Sequence, residues 1–205
     1  SFNIHSIDSA MRDGFNWKLG PFEIIDSIGI NSFKELLINH NIKIPPLLDS
    51  VEKSFYIYEN NEIKYYDFLT KKYKIFKRPN GVLLLSDIKK VQKPVRRITT
   101  ASLWDIGDKI IVFEIHSKGN SIDSNTLEFL NQSIDLISIS YRAMIIYNEG
   151  ELFSAGANLA EALFLGNIGL ESELDKNILS KGQEVYKKLK YSNFPVVSAP
   201  SGLAL

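Results

Sequence analysis

Four small residues follow one another directly after an apolar run: Ser154, Ala155, Gly156 and Ala157, in the segment ELFSAGANLAEAL. Small side chains allow backbone amides to approach a ligand closely. Two such N–H groups aimed at one point form an oxyanion hole, which stabilises negative charge on a carbonyl oxygen. A tight strand-to-helix turn, with small residues for packing, explains the same composition. The residue types alone leave both interpretations open.

Other catalytic chemistry finds little support in the sequence. His5, His40 and His116 stand apart from one another, without the spacing of a metal site or of a base beside a nucleophile. The chain has no cysteine, which excludes disulfides, thiolate nucleophiles and zinc–thiolate sites. Its glycines match neither the G-x-x-x-x-G-K-[ST] phosphate loop nor the G-x-G-x-x-G dinucleotide fingerprint. We therefore expect no metal site.

Two further segments have more than one interpretation. Lys118-Gly119-Asn120 follows a predicted strand, and it fits a phosphate-binding turn as well as a plain turn. Asp123 lies directly before a helical pattern, where a helix cap is a better explanation than an acid or a base.

Composition limits the partners and the compartment. The chain has 24 basic and 24 acidic residues, so its formal net charge is zero and no broad basic surface for nucleic acid is expected. No apolar run approaches the roughly 20 residues that a membrane-spanning helix needs. The first residues lack the pattern of a secretory signal. These features predict a cytoplasmic protein with no nucleic-acid partner and no membrane span.

The first part of the chain is predicted to be mainly helical, with one β-hairpin. Apolar residues recur at helical spacing in the first fifteen residues, and Pro21 and Gly29 bracket a second helix. Aromatic, β-prone runs on both sides of Asn60-Asn61 predict the hairpin. A short strand is expected at 82–85, followed by a basic, proline-containing linker at 88–100.

The second part is predicted to be α/β. Near-continuous apolar runs predict strands, and apolar residues at spacings of three and four predict helices. The strands are expected at 109–115, 143–147 and 194–198, and the helices after Asp123 and over 172–191. Strands that alternate with long helices indicate crossover connections.

Three segments of this second part carry a family resemblance. HSKGNSIDSNTLEFLNQSI, AMIIYNEGELFSAGANLAE and LKYSNFPVVSAPSGLAL occur in this order. They resemble the N-terminal half of the crotonase, or enoyl-CoA hydratase, superfamily over 101–205. The resemblance implies a truncated hydratase domain with a partial crotonase-type ββα spiral, in an overall fold of the α+β or α/β class.

The upstream segment IDSAMRDGFNWKLGPFEIIDSIGI resembles the C-terminal helical region of 3-hydroxyacyl-CoA dehydrogenases. This places a dehydrogenase-like region at 1–98, before the hydratase-like domain. The order is similar to that of bifunctional fatty-acid β-oxidation enzymes. In that family the nicotinamide-binding domain lies upstream, so NAD is expected only in a full-length parent.

The resemblance assigns roles to five residues. The family motif G-A-D aligns with residues 156–158, where Asn158 replaces the usual aspartate. The Ala157 N–H is then the first oxyanion donor to the thioester carbonyl of an acyl-CoA. Contacts to coenzyme A are expected from Lys118, Ser121, Ala155 and Leu159, and Ser121 replaces the usual alanine.

The function implied is β-oxidation of acyl-CoA thioesters, with hydration of a 2-enoyl-CoA and NAD-dependent oxidation of the 3-hydroxy product in the parent. A crotonase-type isomerase or lyase, and a non-catalytic binding or scaffold fragment, are the alternatives. In the family, a second oxyanion amide and a catalytic glutamate follow the segment that matches PSGLAL. We therefore expect an internal piece of a longer enzyme, inactive alone, whose partners are an acyl-CoA and either further copies or other parts of a β-oxidation complex.

Overall fold

The computed structural model of the protein describes residues 3–60 and 62–205. These residues form two compact units. The first holds the described residues up to Leu83 together with Lys90–Gln92, and the second holds Leu84–Lys89 and Lys93–Leu205. Residues 93–98, which the sequence assigned to the first region, thus pack with the second unit. The assignment of a dehydrogenase-like domain to 1–98 and a hydratase-like domain to 101–205 stays a prediction.

The first unit consists of four helices and a three-stranded sheet, in agreement with the predicted helical region and hairpin. The helices are α1 (Ile4–Phe15), α2 (Pro21–Ile28), α3 (Ile30–Asn39) and α4 (Pro46–Asp49). The strands are β1 (Tyr56–Glu59), β2 (Glu62–Asp67) and β3 (Lys72–Ile75), antiparallel in the order β1-β2-β3. The sequence did not predict β3, and Asn61 of the predicted turn lies outside the described residues.

A buried carboxylate explains the Gly-Pro-Phe sequence at the start of α2. Asp8 of α1 is fully buried, and it accepts hydrogen bonds from the Phe22 N–H at 2.9 Å and from the Tyr56 hydroxyl at 2.6 Å. Burial raises the pKa of Asp8 above its usual value, although both hydrogen bonds act in the opposite direction. A side chain at Gly20 would overlap Asp8, because its Cβ would lie 2.3 Å from the Asp8 Cβ. Only glycine therefore allows α1 and α2 to approach this closely.

A second carboxylate connects α2 to the sheet. Asp26 accepts hydrogen bonds from the Phe55 N–H at 2.7 Å and the Tyr56 N–H at 2.8 Å. Phe55 is fully buried in a core that includes Ile4 and Ile30. Asp26 of the segment GPFEIID thus connects α2 to the start of the sheet, which accounts for one position of a motif that the sequence showed only as a resemblance.

The second unit is α/β, as predicted. It contains most of α5 (Leu85–Val91), and its strands are β4 (Arg96–Arg97), β5 (Ala101–Asp105), β6 (Ile110–Ile115), β7 (Ala143–Ile146), β8 (Leu152–Ser154), β9 (Val196–Ser198) and β10 (Leu203–Ala204). Its other helices are a 3₁₀ turn (Lys118–Asn120), α6 (Ser124–Ser140), α7 (Leu159–Asn167), α8 (Glu171–Leu174), a π-helical segment (Asp175–Ser180) and α9 (Lys181–Lys190).

The strands form one large and one small sheet, and the chain alternates between them. The large sheet has the order β4-β5-β6-β7-β9, antiparallel as far as β6 and parallel from β6 to β9. The small sheet pairs β8 with β10 in parallel. The chain passes from β7 to β8 and from β9 to β10, with helices between these pairs. The predicted ββα arrangement is therefore confirmed.

The core of this unit lies between the large sheet and α6. Leu103 and Phe113 from the strands pack with Ile134 and Ile137 from the predicted apolar face of α6. The segment 88–100 is not a free linker, since it contains part of α5 and the strand β4. The strand expected at 82–85 is wrong, because buried Leu85 begins α5 instead. Among the described residues, no helix combines the length and apolarity needed to cross a membrane.

Candidate functional site

The four small residues form the end of β8 and the loop that follows it. The Ala155 N–H donates to the carbonyl oxygen of Gly119 at 3.0 Å, which fixes the loop against the 3₁₀ turn. Gly156 has a φ of +77°, a conformation that residues with a Cβ rarely adopt. A Cβ there would also lie 3.2 Å from the carbonyl oxygen of Leu205. The loop therefore needs glycine for its conformation and for a close approach of backbone.

Ala157 is held in an isolated parallel bridge with Ile122. The Ile122 N–H donates to the Gly156 carbonyl, and the Asn158 N–H donates to the Ile122 carbonyl, both at 2.8 Å. In a parallel pair, the residue between two bonded neighbours points its own N–H and C=O away from the partner strand. Within 3–60 and 62–205, the Ala157 N–H has no hydrogen-bond partner. It is therefore a backbone donor directed away from Ile122 and available to a ligand.

Helix α7 begins directly after this donor. Asn158 is its N-cap, and the Asn158 Oδ1 accepts from the N–H groups of Ala160 at 3.1 Å and Glu161 at 3.3 Å. A helix N-terminus carries a partial positive charge. The field at Ala157 thus favours a ligand atom with negative charge. Asparagine fills this capping role as well as the aspartate that the resemblance led us to expect.

Two carboxylates also accept hydrogen bonds from the start of α6, close to the same loop. Asp123 caps α6 by accepting from the Thr126 N–H at 2.7 Å, as the sequence predicted. Glu161 of α7 accepts from the Ser124 N–H at 3.1 Å and from the Ser124 hydroxyl at 2.5 Å. The starts of the two helices are therefore tied together by one glutamate.

A cavity of about 440 Å³ opens beside the Ala157 backbone. Its wall is mostly apolar and includes residues of α6, the π-helical segment and α9. Two polar side chains, Gln183 and Tyr186, also line it, and burial raises the pKa of the Tyr186 hydroxyl. The apolar lining residues are Ile122, Leu127, Phe153, Ile178, Leu179, Gly182, Ala204 and Leu205, with Ser154, Gly156 and Ala157 from the loop. A cavity of this size and lining can hold an acyl chain.

The structure brings the predicted site residues onto two adjacent segments. Lys118 begins the 3₁₀ turn with its side chain exposed, and the Ser121 hydroxyl donates to the Lys118 carbonyl at 3.2 Å. Ala155 lies opposite Gly119, and Leu159 begins α7 with 71% of its side chain exposed. All four surround the Ile122–Ala157 bridge, so one ligand can reach them. Their roles stay predictions.

Sequence analysis missed Ile122, Gln183 and Glu161 as residues of this site. No local sequence pattern indicates Ile122 or Gln183, because only contacts between distant parts of the chain place them at the site. Glu161 had a weak signal, because it lies three residues after the N-cap Asn158, where an acidic side chain is favourable in the first turn. The part of the chain that the structure describes has no group of three or more potential metal ligands.

Comparison with known proteins identifies relatives over the whole chain. The family model for the C-terminal domain of 3-hydroxyacyl-CoA dehydrogenase matches residues 1–43. A probable 3-hydroxyacyl-CoA dehydrogenase of Bacillus subtilis is 35% identical over 99% of the chain and 26% of its own length. The chain is thus similar to this dehydrogenase over nearly its whole length. A putative fatty acid oxidation complex trifunctional enzyme of Rickettsia prowazekii is 30% identical over 99% of the chain and 25% of its own length.

These matches confirm the predicted resemblance to dehydrogenases of fatty-acid oxidation. The chain spans about a quarter of the length of the curated relatives it matches. Among solved structures, the enoyl-CoA hydratase from Bacillus anthracis superposes with a TM-score of 0.45 at 22% identity, over 52% of this chain and 41% of that chain.

Proposed function

We propose that the protein is part of a fatty-acid oxidation enzyme that acts on acyl-CoA thioesters, with the Ala157 N–H as an oxyanion donor. One observation supports this above the others: a backbone N–H at a helix start that has no partner among the described residues, beside an apolar cavity of about 440 Å³. A thioester presents one carbonyl oxygen next to one apolar chain. The donor and the cavity match these two parts.

The Ala157 N–H acts by donating a hydrogen bond to the thioester oxygen. In hydration, water adds to C3 of the 2-enoyl thioester and gives up a proton to a base of the parent enzyme, so negative charge develops on the thioester oxygen as an enolate until a proton joins C2. A donor already fixed in position stabilises the enolate more than the neutral thioester, which lowers the barrier. The Ile122–Ala157 bridge supplies this fixed position. Hydration of a 2-enoyl-CoA is the reaction of this kind that we propose for the parent enzyme.

The coenzyme A part is proposed to lie along the 3₁₀ turn and the start of α7. Lys118 is exposed and makes no ion pair within the described ranges, so its ammonium group can meet a phosphate. The Ser121 hydroxyl and the Ala155 carbonyl offer hydrogen bonds, and exposed Leu159 offers apolar surface to the pantetheine chain. The acyl-CoA is the small-molecule partner of this proposal.

The NAD-dependent oxidation is proposed for the parent enzyme only. The 205 residues contain no G-x-G-x-x-G fingerprint. Residues 1–43, which match the C-terminal domain of the dehydrogenase, connect the chain to that activity. Assembly with further copies, or with other parts of a β-oxidation complex, is part of the same proposal.

Filling the cavity tests where the acyl chain binds. Gly182 of α9 lines the cavity, and a Cβ there would meet only the Leu127 Cδ1, at 3.8 Å, an ordinary contact. Gly182→Leu is expected to lower the affinity for decanoyl-CoA at least tenfold, since the new side chain takes the place of several methylenes worth about 0.8 kcal/mol each. Isothermal titration calorimetry with decanoyl-CoA and with free coenzyme A measures this.

Gly182→Ala is the matched control. Its single methyl group fits, so decanoyl-CoA is expected to bind as it does to the unchanged chain. Free coenzyme A should bind both variants equally, because it has no acyl chain. Equal decanoyl-CoA affinities for Gly182→Leu and Gly182→Ala would place the acyl chain elsewhere.

A further inference from the structure

We infer that Glu161 is a positioning residue, which maintains the orientation of the Ala157 N–H by tying α7 to the start of α6. The inference rests on the proposed function of Ala157 and adds a residue that acts on the ligand only through that amide. The sequence carries only a weak capping signal at Glu161 and indicates no role for it in the site.

The Glu161–Ser124 contact is suited to a strong tie. Ser124 is the first residue of α6, where a backbone N–H has no acceptor within the helix. The two carboxylate oxygens of Glu161 accept hydrogen bonds from this N–H at 3.1 Å and from the Ser124 hydroxyl at 2.5 Å. Hydrogen bonds to an ionised group are about twice as strong as neutral ones, and the helix N-terminus favours the negative charge.

Apolar packing does not hold α7 in this way. None of its residues is buried among the described parts of the chain. The side chains of Leu159, Leu163 and Phe164 are 71%, 66% and 63% exposed. The position of α7 relative to α6 therefore depends on polar contacts near its start.

Two of these contacts join the same pair of segments. The bridge joins Ile122 to Ala157, and the carboxylate joins Ser124 to Glu161. The bridge fixes the loop at Ile122, and the carboxylate adds a second fixed point on the residues that follow the loop. The peptide group that carries the Ala157 N–H also carries the Gly156 carbonyl, which accepts from the Ile122 N–H at 2.8 Å. The bridge therefore sets the direction of the N–H, and the Glu161 tie limits movement of the bridge. Loss of the second tie is therefore expected to let the bridge open more often.

Hydrogen exchange tests the tie without any ligand. Glu161→Ala is expected to speed exchange of the Ile122 and Asn158 amide hydrogens, which close the bridge, about tenfold. This factor corresponds to the free energy of one hydrogen bond to a charged group. The Met144 N–H, which donates to Pro195 in the large sheet at 3.0 Å, should keep its rate. Exchange at all three amides as in the unchanged chain would overturn the inference.

Two further variants separate positioning from general stability. Glu161→Gln keeps an acceptor for the Ser124 N–H and a donor for the hydroxyl, so it should restore slow exchange. Glu171→Ala removes an exposed glutamate from the start of α8 and should change nothing at the bridge. Fast exchange in Glu161→Gln equal to that in Glu161→Ala would contradict the assigned role.

Binding of hexanoyl-CoA and of free coenzyme A, measured by calorimetry, completes the test. Glu161→Ala is expected to weaken hexanoyl-CoA about tenfold and to leave free coenzyme A unchanged, with recovery in Glu161→Gln. Unchanged hexanoyl-CoA affinity would overturn the inference even if exchange were faster. If the unchanged chain binds hexanoyl-CoA no better than coenzyme A, the proposed function fails, and the exchange rates still decide whether Glu161 orders the loop.

Discussion

Replacing Ala157 by proline is expected to raise the apparent pKa at which bound acetoacetyl-CoA forms its enolate by about two units. Proline has no N–H, so the enolate oxygen loses its donor. One oxyanion donor is worth about 2.7–4 kcal/mol, and one pKa unit corresponds to 1.36 kcal/mol. The enolate absorbs in the ultraviolet, so a pH titration of the complex measures the shift.

The fold is expected to tolerate this substitution. The Ala157 N–H has no partner among the residues described, so no internal hydrogen bond is lost. The preceding Gly156 has no Cβ to clash with the proline ring. Ala157→Gly is the matched control, because it keeps the N–H and should keep the enolate pKa of the unchanged chain. Equal enolate pKa values for the proline and glycine variants would show that this amide does not bind the oxygen.

Replacing Gly20 by alanine is expected to lower the free energy of unfolding of the first unit by about 3 kcal/mol, the upper part of the usual range for overpacking. The new Cβ would lie 2.3 Å from the Asp8 Cβ and 2.4 Å from the Asp8 Cα. Asp8 is fully buried, and its backbone belongs to α1, so it has no room to yield. Urea denaturation followed by circular dichroism measures the loss.

Gly14→Ala is the control for the same chemical change. Gly14 lies in α1, and a Cβ there meets no atom of the described residues within 4 Å. Alanine is favoured over glycine in a helix by up to about 1 kcal/mol, so this variant should be as stable as the unchanged chain or more stable. Equal destabilisation by both alanines would show that contact with Asp8 is not what requires glycine at position 20.

The elements that sequence predicted well are those with a strong local pattern. Helix α6 has apolar residues at regular helical spacing, and β6 is a run of apolar, β-branched residues that needs no partner to be recognised. Strand β4 has no such pattern. It consists of two exposed arginines, and only its antiparallel pairing with Leu103 and Ser102 of β5 makes it a strand. Pairing of this kind leaves no trace in local composition.

The candidate site likewise has one part with a local sequence pattern and another part without one. Ala157 was found because small residues cluster locally and resemble a known motif. The bridge to Ile122 and the tie from Glu161 to Ser124 join residues far apart in sequence, and no periodicity encodes them. The π-helical segment over 175–180 was also missed, because Leu174, Ile178 and Val185 fit one continuous α-helical face. What determines the direction of the donor is thus visible only in the fold.

The central claim is that the Ala157 N–H polarises a thioester carbonyl. Infrared difference spectroscopy of hexanoyl-CoA carrying ¹³C at the thioester carbon measures this polarisation directly, because a hydrogen bond to the oxygen weakens the C=O bond. The account predicts a lower carbonyl frequency in the complex than in water, retained in Ala157→Gly and lost in Ala157→Pro. A carbonyl frequency that is the same in water and in all three complexes would contradict it.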